Sequence, residues 1–517
     1  MYNKAPFAEW VPKPLMLLLI LLFLFPIMGA SGVFSNNMTD ITGYLGGYTE
    51  HVSFANNALT IGMSTAMLIL MRVKMRFKTK QIVGGGLAAM ALLVFVCGTT
   101  HNYYVFIAAN FLIGFFKMFT LLEIIIIVMF ILAPDGNRKN FYAIFYPIAI
   151  GSSTIMFNAL SKLVFNYGIE SAYLLVSIIL LSLSALAIIF QHDKQFGFKM
   201  PLYQVDWFSM FLFAGSLMCL NYVLVFCKQQ NWFNSPYIIW NSILAIALFV
   251  WLILRQRKLK RKLIHFDMFK LPNVRHGMVL IIFMGIYLSS TSVYMQWNMA
   301  ALGYNNLINA GLGLWGLPTL ILGGVLAFIG FKKKWNLKYF ILLGFSAFFV
   351  HSLMIYFLIQ PQMNYEHFYL LIMVRNFGMV ILFIGAWQYA TSGMPQEKSM
   401  GVTAFLVMFR TFVATAFGGA IIAFVSQYFQ IQSMTDMGNY WDQTMMGPAA
   451  MRGFGSMQIN SLLNGGKTLM GWMCWLFIPI AIFILNHDYG NKNLRKKVYF
   501  KKLLKRESVK GYHYKVN

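Results

Sequence analysis

Charged side chains inside long apolar stretches are the residues of this chain most able to do chemistry. An ionised side chain at the centre of a membrane helix costs at least about 2.5–3.5 kcal/mol, so each one needs a reason to be there. Glu123 is the only acidic residue well inside such a stretch. Its carboxyl could take up and release a proton during a functional cycle, form a fixed ion pair, or lie near the inner headgroups. Lys117, six residues earlier, is not on the same helical face, so it is a separate candidate for a structural or coupling role.

Three further cations fall in apolar stretches. Arg375 and Arg410 could hold an anionic substrate or bridge helices through bidentate hydrogen bonds, and bridging is the main interpretation of Arg410. Lys162 follows Thr154 and Asn158 at the i, i+4, i+8 spacing of one helix face, which predicts a polar stripe along a cavity. Near a helix end, Lys162 could instead extend its ammonium group to the headgroups.

A second polar face carries aromatic rings. Ser290, Tyr294 and Trp297 have i, i+4, i+7 spacing, and such a face suits a cavity for amphipathic organic molecules. The alternatives are hydrogen bonds between helices and anchoring of Trp297 at the membrane interface. His351 is interpreted as a packed or hydrogen-bonded side chain rather than a proton relay.

Groupings typical of enzymes do not occur in the sequence. It has no nucleotide-binding glycine loop with a lysine, no cluster with metal-ligand spacing and no plausible grouping of serine, histidine and acid. The four cysteines lie in or beside apolar runs without metal-ligand spacing. We therefore expect no catalytic residues, no metal and no cofactor, although a membrane-embedded enzyme or sensor is a remaining alternative.

Composition identifies the surroundings of these residues. Of the 517 residues, 59% are hydrophobic and 11% are charged, whereas soluble proteins carry about 25% charged residues. Lipid must therefore be the solvent for most of the chain. Continuous rather than alternating apolar runs exclude a β-barrel and predict an all-α membrane protein. Fourteen runs are long enough to span a bilayer, near 14–34, 51–71, 81–100, 103–132, 141–165, 172–190, 206–227, 236–254, 277–298, 310–331, 338–358, 367–391, 400–426 and 467–486.

Basic residues between these runs predict the orientation. They concentrate in alternate connections, such as 72–80 and 255–262, and in the tail 491–517. The positive-inside rule then places both termini in the cytoplasm, with the chain in a bacterial inner membrane. This accounts for the formal net charge of +26, so nucleic acid is not an expected partner. Two outward connections, 35–50 and 427–466, are longer than a hairpin needs, and the second is rich in glycine and methionine.

The chain also repeats itself weakly. Asn110-Phe-Leu-Ile-Gly114 opens one apolar run that ends near Pro134, and Arg375-Asn-Phe-Gly378 opens another that ends near Pro395. Two related halves with a substrate site between them are a common plan of secondary transporters. We therefore expect a small-molecule substrate in a site near the middle of the lipid bilayer.

These motifs resemble the fourteen-helix drug:proton antiporters of the major facilitator superfamily, the EmrB/QacA-type exporters. The likeness is greatest in Arg375-Asn-Phe-Gly378, Met394-Pro-Gln-Glu397-Lys-Ser-Met-Gly401, Arg410 and Gly418-Gly419-Ala-Ile. The resemblance implies two six-helix halves, 1–190 and 263–490, with two inserted helices in 191–262. It also implies alternating access and proton-driven export of hydrophobic or amphipathic compounds. The long segment 427–466 would be an outward loop that contacts a periplasmic adaptor protein and, through it, an outer-membrane channel.

The first half departs from that family pattern. Asn110 stands where the family has an arginine, and the stretch from Thr154 to Lys162 lacks the glycine–proline antiporter signature. Asn110 is accordingly a candidate for the cavity lining. These departures favour an alternative function, a carrier for an anionic metabolite, lipid or siderophore that lacks the usual proton antiport.

Overall fold

The computed structural model describes most of the chain and is helical throughout its regular parts. It describes residues 7–8, 10–132, 138–193, 199, 201–259, 261–264, 269–392, 402–403, 406–407, 409–439, 448–487 and 489. The α-helices are α1 (Lys13–Gly29), α2 (Met38–Leu45), α3 (Thr49–Arg76), α4 (Thr79–Thr99), α5 (Tyr103–Leu132), α6 (Arg138–Tyr167), α7 (Ile169–Phe190), α8 (Trp207–Phe226), α9 (Pro236–Lys258), α10 (Pro272–Ser289), α11 (Thr291–Gln296), α12 (Asn306–Leu314), α13 (Leu317–Lys332), α14 (Leu337–Leu358), α15 (His367–Ala390), α16 (Gly418–Gly438) and α17 (Pro448–Asn486). Two π-helical segments, Trp297–Ala301 and Phe409–Phe417, continue α11 and precede α16.

The chain is a multi-pass membrane protein, as predicted. Within the described residues, thirteen helices are long and apolar enough to cross a membrane, and α1 is a shorter apolar helix. The predicted first span, 14–34, is too long, because α1 contains Pro26 and ends at Gly29. Proline lacks the N–H that a helix interior requires, which weakens the helix where it ends.

The prediction of a long loop at 427–466 is wrong. Helix α16 continues to Gly438 and α17 begins at Pro448, so most of this segment extends two membrane helices. The two extensions pack together, with the Asn464 side chain donating to Ser433 Oγ at 2.9 Å. A Cβ atom on Gly465 would lie 2.8 Å from the backbone nitrogen of Gln430. The glycine therefore permits close packing of helices, in a segment that the sequence predicted to be a long outward loop.

Two groups of helices form the body of the protein. We call α1–α7 the N-terminal bundle and α10–α17 the C-terminal bundle, and α6 lies against α12, α13 and α15 across the boundary. Helices α3 and α5 cross in direct contact, because Cβ atoms on Gly62 and Gly114 would lie within about 2 Å of carbonyl oxygens on the facing helix. This crossing brings the polar side chains of α3 next to those of α5.

Helices α8 and α9, which connect the bundles, form an antiparallel pair. Asp206 precedes α8 and accepts hydrogen bonds from Arg255 Nη2 at 3.0 Å and from the Ser209 side chain. Burial acts to raise the pKa of Asp206, but the hydrogen bonds from Arg255 and Ser209 outweigh it and lower the pKa below its ordinary value. The carboxylate therefore stays ionised and joins the two helices at this end.

Candidate functional site

A cavity of about 810 Å³ lies between the two bundles. Helices α3, α5 and α6 line it from the N-terminal bundle, and α10, α12, α15 and the π-helical segment Phe409–Phe417 line it from the C-terminal bundle. Its volume lies in the range of small-molecule sites, which are about 300–1,000 Å³. In secondary transporters built from two bundles, the substrate site lies at a position of this kind, between the bundles.

Three cations line the cavity. Lys117 comes from the N-terminal bundle, and Arg375 and Arg410 come from the C-terminal bundle. None of the described lining residues is acidic. Within the described part of the chain, no carboxylate forms an ion pair with any of the three cations. The charge of the described lining is therefore positive.

The Lys117 side chain is hydrogen-bonded to backbone carbonyls at the C-terminal end of α1. Its ammonium group donates to the carbonyl oxygens of Met28 at 3.0 Å and Ala30 at 2.7 Å. The carbonyls at a helix C-terminus carry partial negative charge and attract a cation. An ammonium group has three N–H donors, so these two bonds leave one donor for a ligand in the cavity.

Arg375 retains unused hydrogen-bonding capacity. Its Nη2 donates to the carbonyl oxygen of Leu288 at 3.4 Å, a long hydrogen bond. Its buried Nε has no hydrogen-bond partner among the described residues. A guanidinium group presents five N–H donors in a fork that matches a carboxylate or phosphate, and most of this fork is available to a ligand.

Arg410 lies on an aromatic cluster rather than between two helices as a hydrogen-bonded bridge. Its Cζ is 4.0 Å from the ring centroid of Phe383, and Phe383 stacks on Tyr146 at 5.9 Å and 13°. Trp387 completes the cluster, 5.7 Å from Tyr146. This distance is that of a cation–π contact, which does not use the N–H donors that could form a bidentate bond with an anion. The π-helical turn that carries Arg410 is a type of distortion often found at functional sites.

A polar stripe on α3 is a part of the site that sequence reasoning missed. Ser53, Asn56, Asn57 and Thr60 all line the cavity, and their i, i+3, i+4, i+7 spacing is that of one helix face. The same spacing is visible in the sequence Ser-Phe-Ala-Asn-Asn-Ala-Leu-Thr. Interpreting residues 51–71 only as an apolar span overlooks this polar helix face.

The predicted cavity residues divide into two groups. Thr154, Tyr294 and Arg375 line the cavity. Five others do not, for different reasons. Asn110 is buried against Gly32 and donates to the carbonyl of Phe106. Asn158 is buried outside the cavity lining, and Lys162 is exposed. The helix face that runs from Thr154 to Lys162 therefore does not line the cavity.

Ser290 and Trp297 are buried, do not line the cavity and bond to backbone carbonyls. The Ser290 hydroxyl donates to the carbonyl of Tyr287 at 2.6 Å, and Trp297 Nε1 donates to the carbonyl of Gln360 at 2.7 Å. The cavity face of this helix is instead formed by Leu288, Thr291, Tyr294 and Met295. Leu288, Thr291 and Met295 have the i, i+3, i+7 spacing of one helix face, which differs from the predicted face of Ser290, Tyr294 and Trp297.

Glu123 does not line the cavity and forms a buried ion pair. Its Oε2 lies 3.2 Å from Lys74 Nζ, and both side chains are about 5% exposed. Lys74 was assigned to a basic connection after residue 71, but α3 continues to Arg76. The longer helix brings Lys74 alongside α5. Lys117 bonds elsewhere and is not its partner.

Side chains of the two bundles meet near both ends of the cavity. At the end predicted to face outward, Asn306 donates to Thr39 Oγ1 at 2.7 Å and to Asp40 Oδ2 at 3.0 Å. At the opposite end, the Tyr142 hydroxyl lies 3.4 Å from Thr391 Oγ1. Each of these contacts joins an element of the N-terminal bundle to one of the C-terminal bundle.

Three solved structures with a similar fold are transporters. The nucleoside transporter NupG aligns with a TM-score of 0.55 and 13% identity over 91% of this chain and 99% of its own. A POT family transporter in complex with 5-aminolevulinic acid aligns with a TM-score of 0.59 and 13% identity over 93% and 98%. Another, in complex with a thioalcohol-conjugated peptide, gives 0.58 and 12% over 90% and 96%.

The chain has a major-facilitator-type fold. This confirms the predicted fold class, and the overall alignment covers nearly the whole length of each neighbour. No protein-family model and no curated protein sequence matches the chain. At about 13% identity the likeness to these structures concerns the fold alone. The fold does not identify an activity, so the residues that line the cavity are the evidence for what this protein does.

Proposed function

We propose that this protein is a secondary transporter that carries organic anions through the membrane by alternating access. The observation that supports this most is the charge of the cavity, where Lys117, Arg375 and Arg410 face a lining with no acidic residue among those described. Cations in a low-dielectric site with no carboxylate beside them favour a ligand that brings its own negative charge. Because the cations come from both bundles, one anion could contact both and stabilise their approach.

The remaining lining defines the other part of the substrate. Phe145, Tyr146, Phe383 and Trp387 contribute aromatic surface, while Asn57, Asn309 and Asn376 contribute amides. A cavity with much apolar surface and a few polar groups suits an organic molecule rather than a small inorganic ion. We therefore propose a substrate with an aromatic or other apolar body and at least one carboxylate, phosphate or sulfonate group.

This proposal favours the alternative that the sequence left open, a carrier for an anionic compound. Export of lipophilic cations would call for an acidic or otherwise electron-rich lining, and the described lining offers only its aromatic rings against three cations. Export, proton antiport and placement in a bacterial inner membrane with cytoplasmic termini stay predictions. An adaptor contact also stays a prediction, and it would fall on the helical extensions of α16 and α17.

Charged thiol reagents test the cavity without knowledge of the substrate. Ser53→Cys, in a chain whose four native cysteines are replaced by serine, should react faster with the anionic reagent methanethiosulfonate ethylsulfonate than with its trimethylammonium counterpart. A cysteine at exposed Asn439 supplies the intrinsic ratio of the two rates. Adding Arg375→Gln and Arg410→Gln should bring the Ser53→Cys ratio toward that intrinsic value. Equal ratios at both positions before the arginines are removed would contradict an anion-selective cavity.

A further inference from the structure

The α8–α9 pair is more than a spacer between the bundles. Helix α9 packs chiefly on α8 and exposes much of its surface, whereas α8 packs on α3 and touches the π-helical segment Phe409–Phe417 that carries Arg410. Trp232, between α8 and α9, lies edge-on to Phe424 of α16 at 4.7 Å. The pair therefore contacts elements of both bundles that line or support the cavity.

One hydrogen-bonded pair links α8 directly to the cavity. Asn57, which lines the cavity, donates its Nδ2 to Oδ1 of Asn221 on α8 at 2.8 Å. Asn221 is fully buried and donates in turn to the carbonyl oxygen of Phe54 at 3.1 Å. Asn221 thus donates to the backbone of α3 at Phe54 and accepts from the side chain of Asn57, about one turn further along α3.

The chemistry of a primary amide gives this contact a direction. An asparagine has one acceptor oxygen and one NH₂ donor group, and burial in an apolar setting makes an unpaired amide costly. With Nδ2 of Asn57 directed at Asn221, its oxygen and second N–H remain to face the cavity. Without Asn221, Asn57 would be free to turn and exchange donor for acceptor.

We propose that Asn221 is a positioning residue for the substrate site: through its hydrogen bond it fixes the orientation of Asn57 and so adjusts which substrates bind. The proposal rests on the proposed function. It gives the inserted α8–α9 pair a role in selectivity, although neither helix contributes a described residue to the cavity lining.

A double-mutant cycle tests the proposal. Uptake of 5-carboxyfluorescein, an aromatic anion, is measured in vesicles containing the parent, Asn57→Ala, Asn221→Ala or both changes. We expect Asn221→Ala to raise KM about fivefold, the equivalent of about 1 kcal/mol, with the maximal rate retained. The double variant should have the KM of Asn57→Ala alone, because Asn221 acts through Asn57. Asn241→Ala is the matched control, since the Asn241 amide on α9 bonds only within its own helix, to the carbonyl of Tyr237.

Two results would overturn the proposal: an unchanged KM in Asn221→Ala, or effects that add in the double variant. A purely structural role would lower the unfolding temperature and the maximal rate while leaving KM unaltered. A second readout does not need an anionic substrate. The rate at which neutral methyl methanethiosulfonate modifies Ser53→Cys, one turn from Asn57, should change in Asn221→Ala, and the rate in the double variant should equal the rate in Asn57→Ala alone. If that equality holds while carboxyfluorescein is not transported, the proposed function fails and the positioning role stands; unequal rates remove the positioning role.

Discussion

The guanidinium carbon of Arg410 lies 4.0 Å from the ring centroid of Phe383, in a cavity that also holds Arg375 and Lys117. A guanidinium group is planar and carries its N–H donors in a rigid fork, and the contact with Phe383 restricts where this group can lie in the cavity lining. Phe383 in turn stacks on Tyr146 of the other bundle. The contact therefore combines anion recognition with a junction between the two halves.

Arg410→Lys should impair transport although it keeps the charge. A lysine lacks the planar fork and the stacking face, so bidentate recognition is lost. We expect KM for 5-carboxyfluorescein to rise about tenfold, since hydrogen bonds to charged groups contribute about 1.5–3 kcal/mol. Uptake in vesicles measures the change, with exposed Arg261→Lys as the control. A parental KM in Arg410→Lys would mean that this side chain contributes charge alone.

Glu123→Gln should lower stability because it removes the negative charge that lies 3.2 Å from the buried Lys74 ammonium group. Removing one partner of a buried ion pair typically costs about 3–5 kcal/mol, whereas replacing both partners is far less costly. The unfolding temperature should fall in Glu123→Gln and largely recover in Glu123→Leu/Lys74→Met. Acceleration of uptake by a pH gradient, if the parent shows it, should persist. Loss of that acceleration with unchanged stability would instead identify Glu123 as the proton site.

Features set by a continuous stretch of sequence could be predicted here, whereas contacts between residues far apart in the chain could not. Spans such as α4 and α7 follow from continuous apolar runs, because the membrane fixes their length. Lys74 and Glu123 could not be paired from the sequence, since their contact joins two helices and depends on how far α3 extends. Arg410 was interpreted as a helix bridge, because nothing in a single sequence places Phe383 beneath it.

The junction between α8 and α9 should be insensitive to pH over most of the accessible range. Because the pKa of Asp206 is lowered in the folded protein, its carboxylate contributes fully to the stability of the α8–α9 junction above the ordinary pKa of 3.8. This contribution to stability is lost only as the pH falls through the lower pKa of the folded state. Hydrogen exchange of amides near Arg255 should therefore be equally protected at pH 5 and pH 7. Asp206→Asn should weaken that protection at both values. A loss of protection between pH 7 and pH 5 in the parent protein would contradict this account.

The predicted orientation can be tested by labelling intact cells with an impermeant thiol reagent. A cysteine at Asn439, between α16 and α17, should react from outside, and a cysteine at Arg261, after α9, should not. Both positions lie in connections between helices. The reverse pattern would place the termini outside.

The central claim is that the cavity carries organic anions, and uptake of two dyes of similar size and opposite charge tests it most directly. Vesicles containing the purified protein should take up anionic 5-carboxyfluorescein with saturation, and cationic rhodamine 6G should neither be carried nor compete. Arg375→Gln/Arg410→Gln should abolish the anion uptake, while Asn241→Ala should preserve it. Saturable transport of rhodamine 6G, with no transport of carboxyfluorescein, would contradict the proposal and favour an exporter of lipophilic cations.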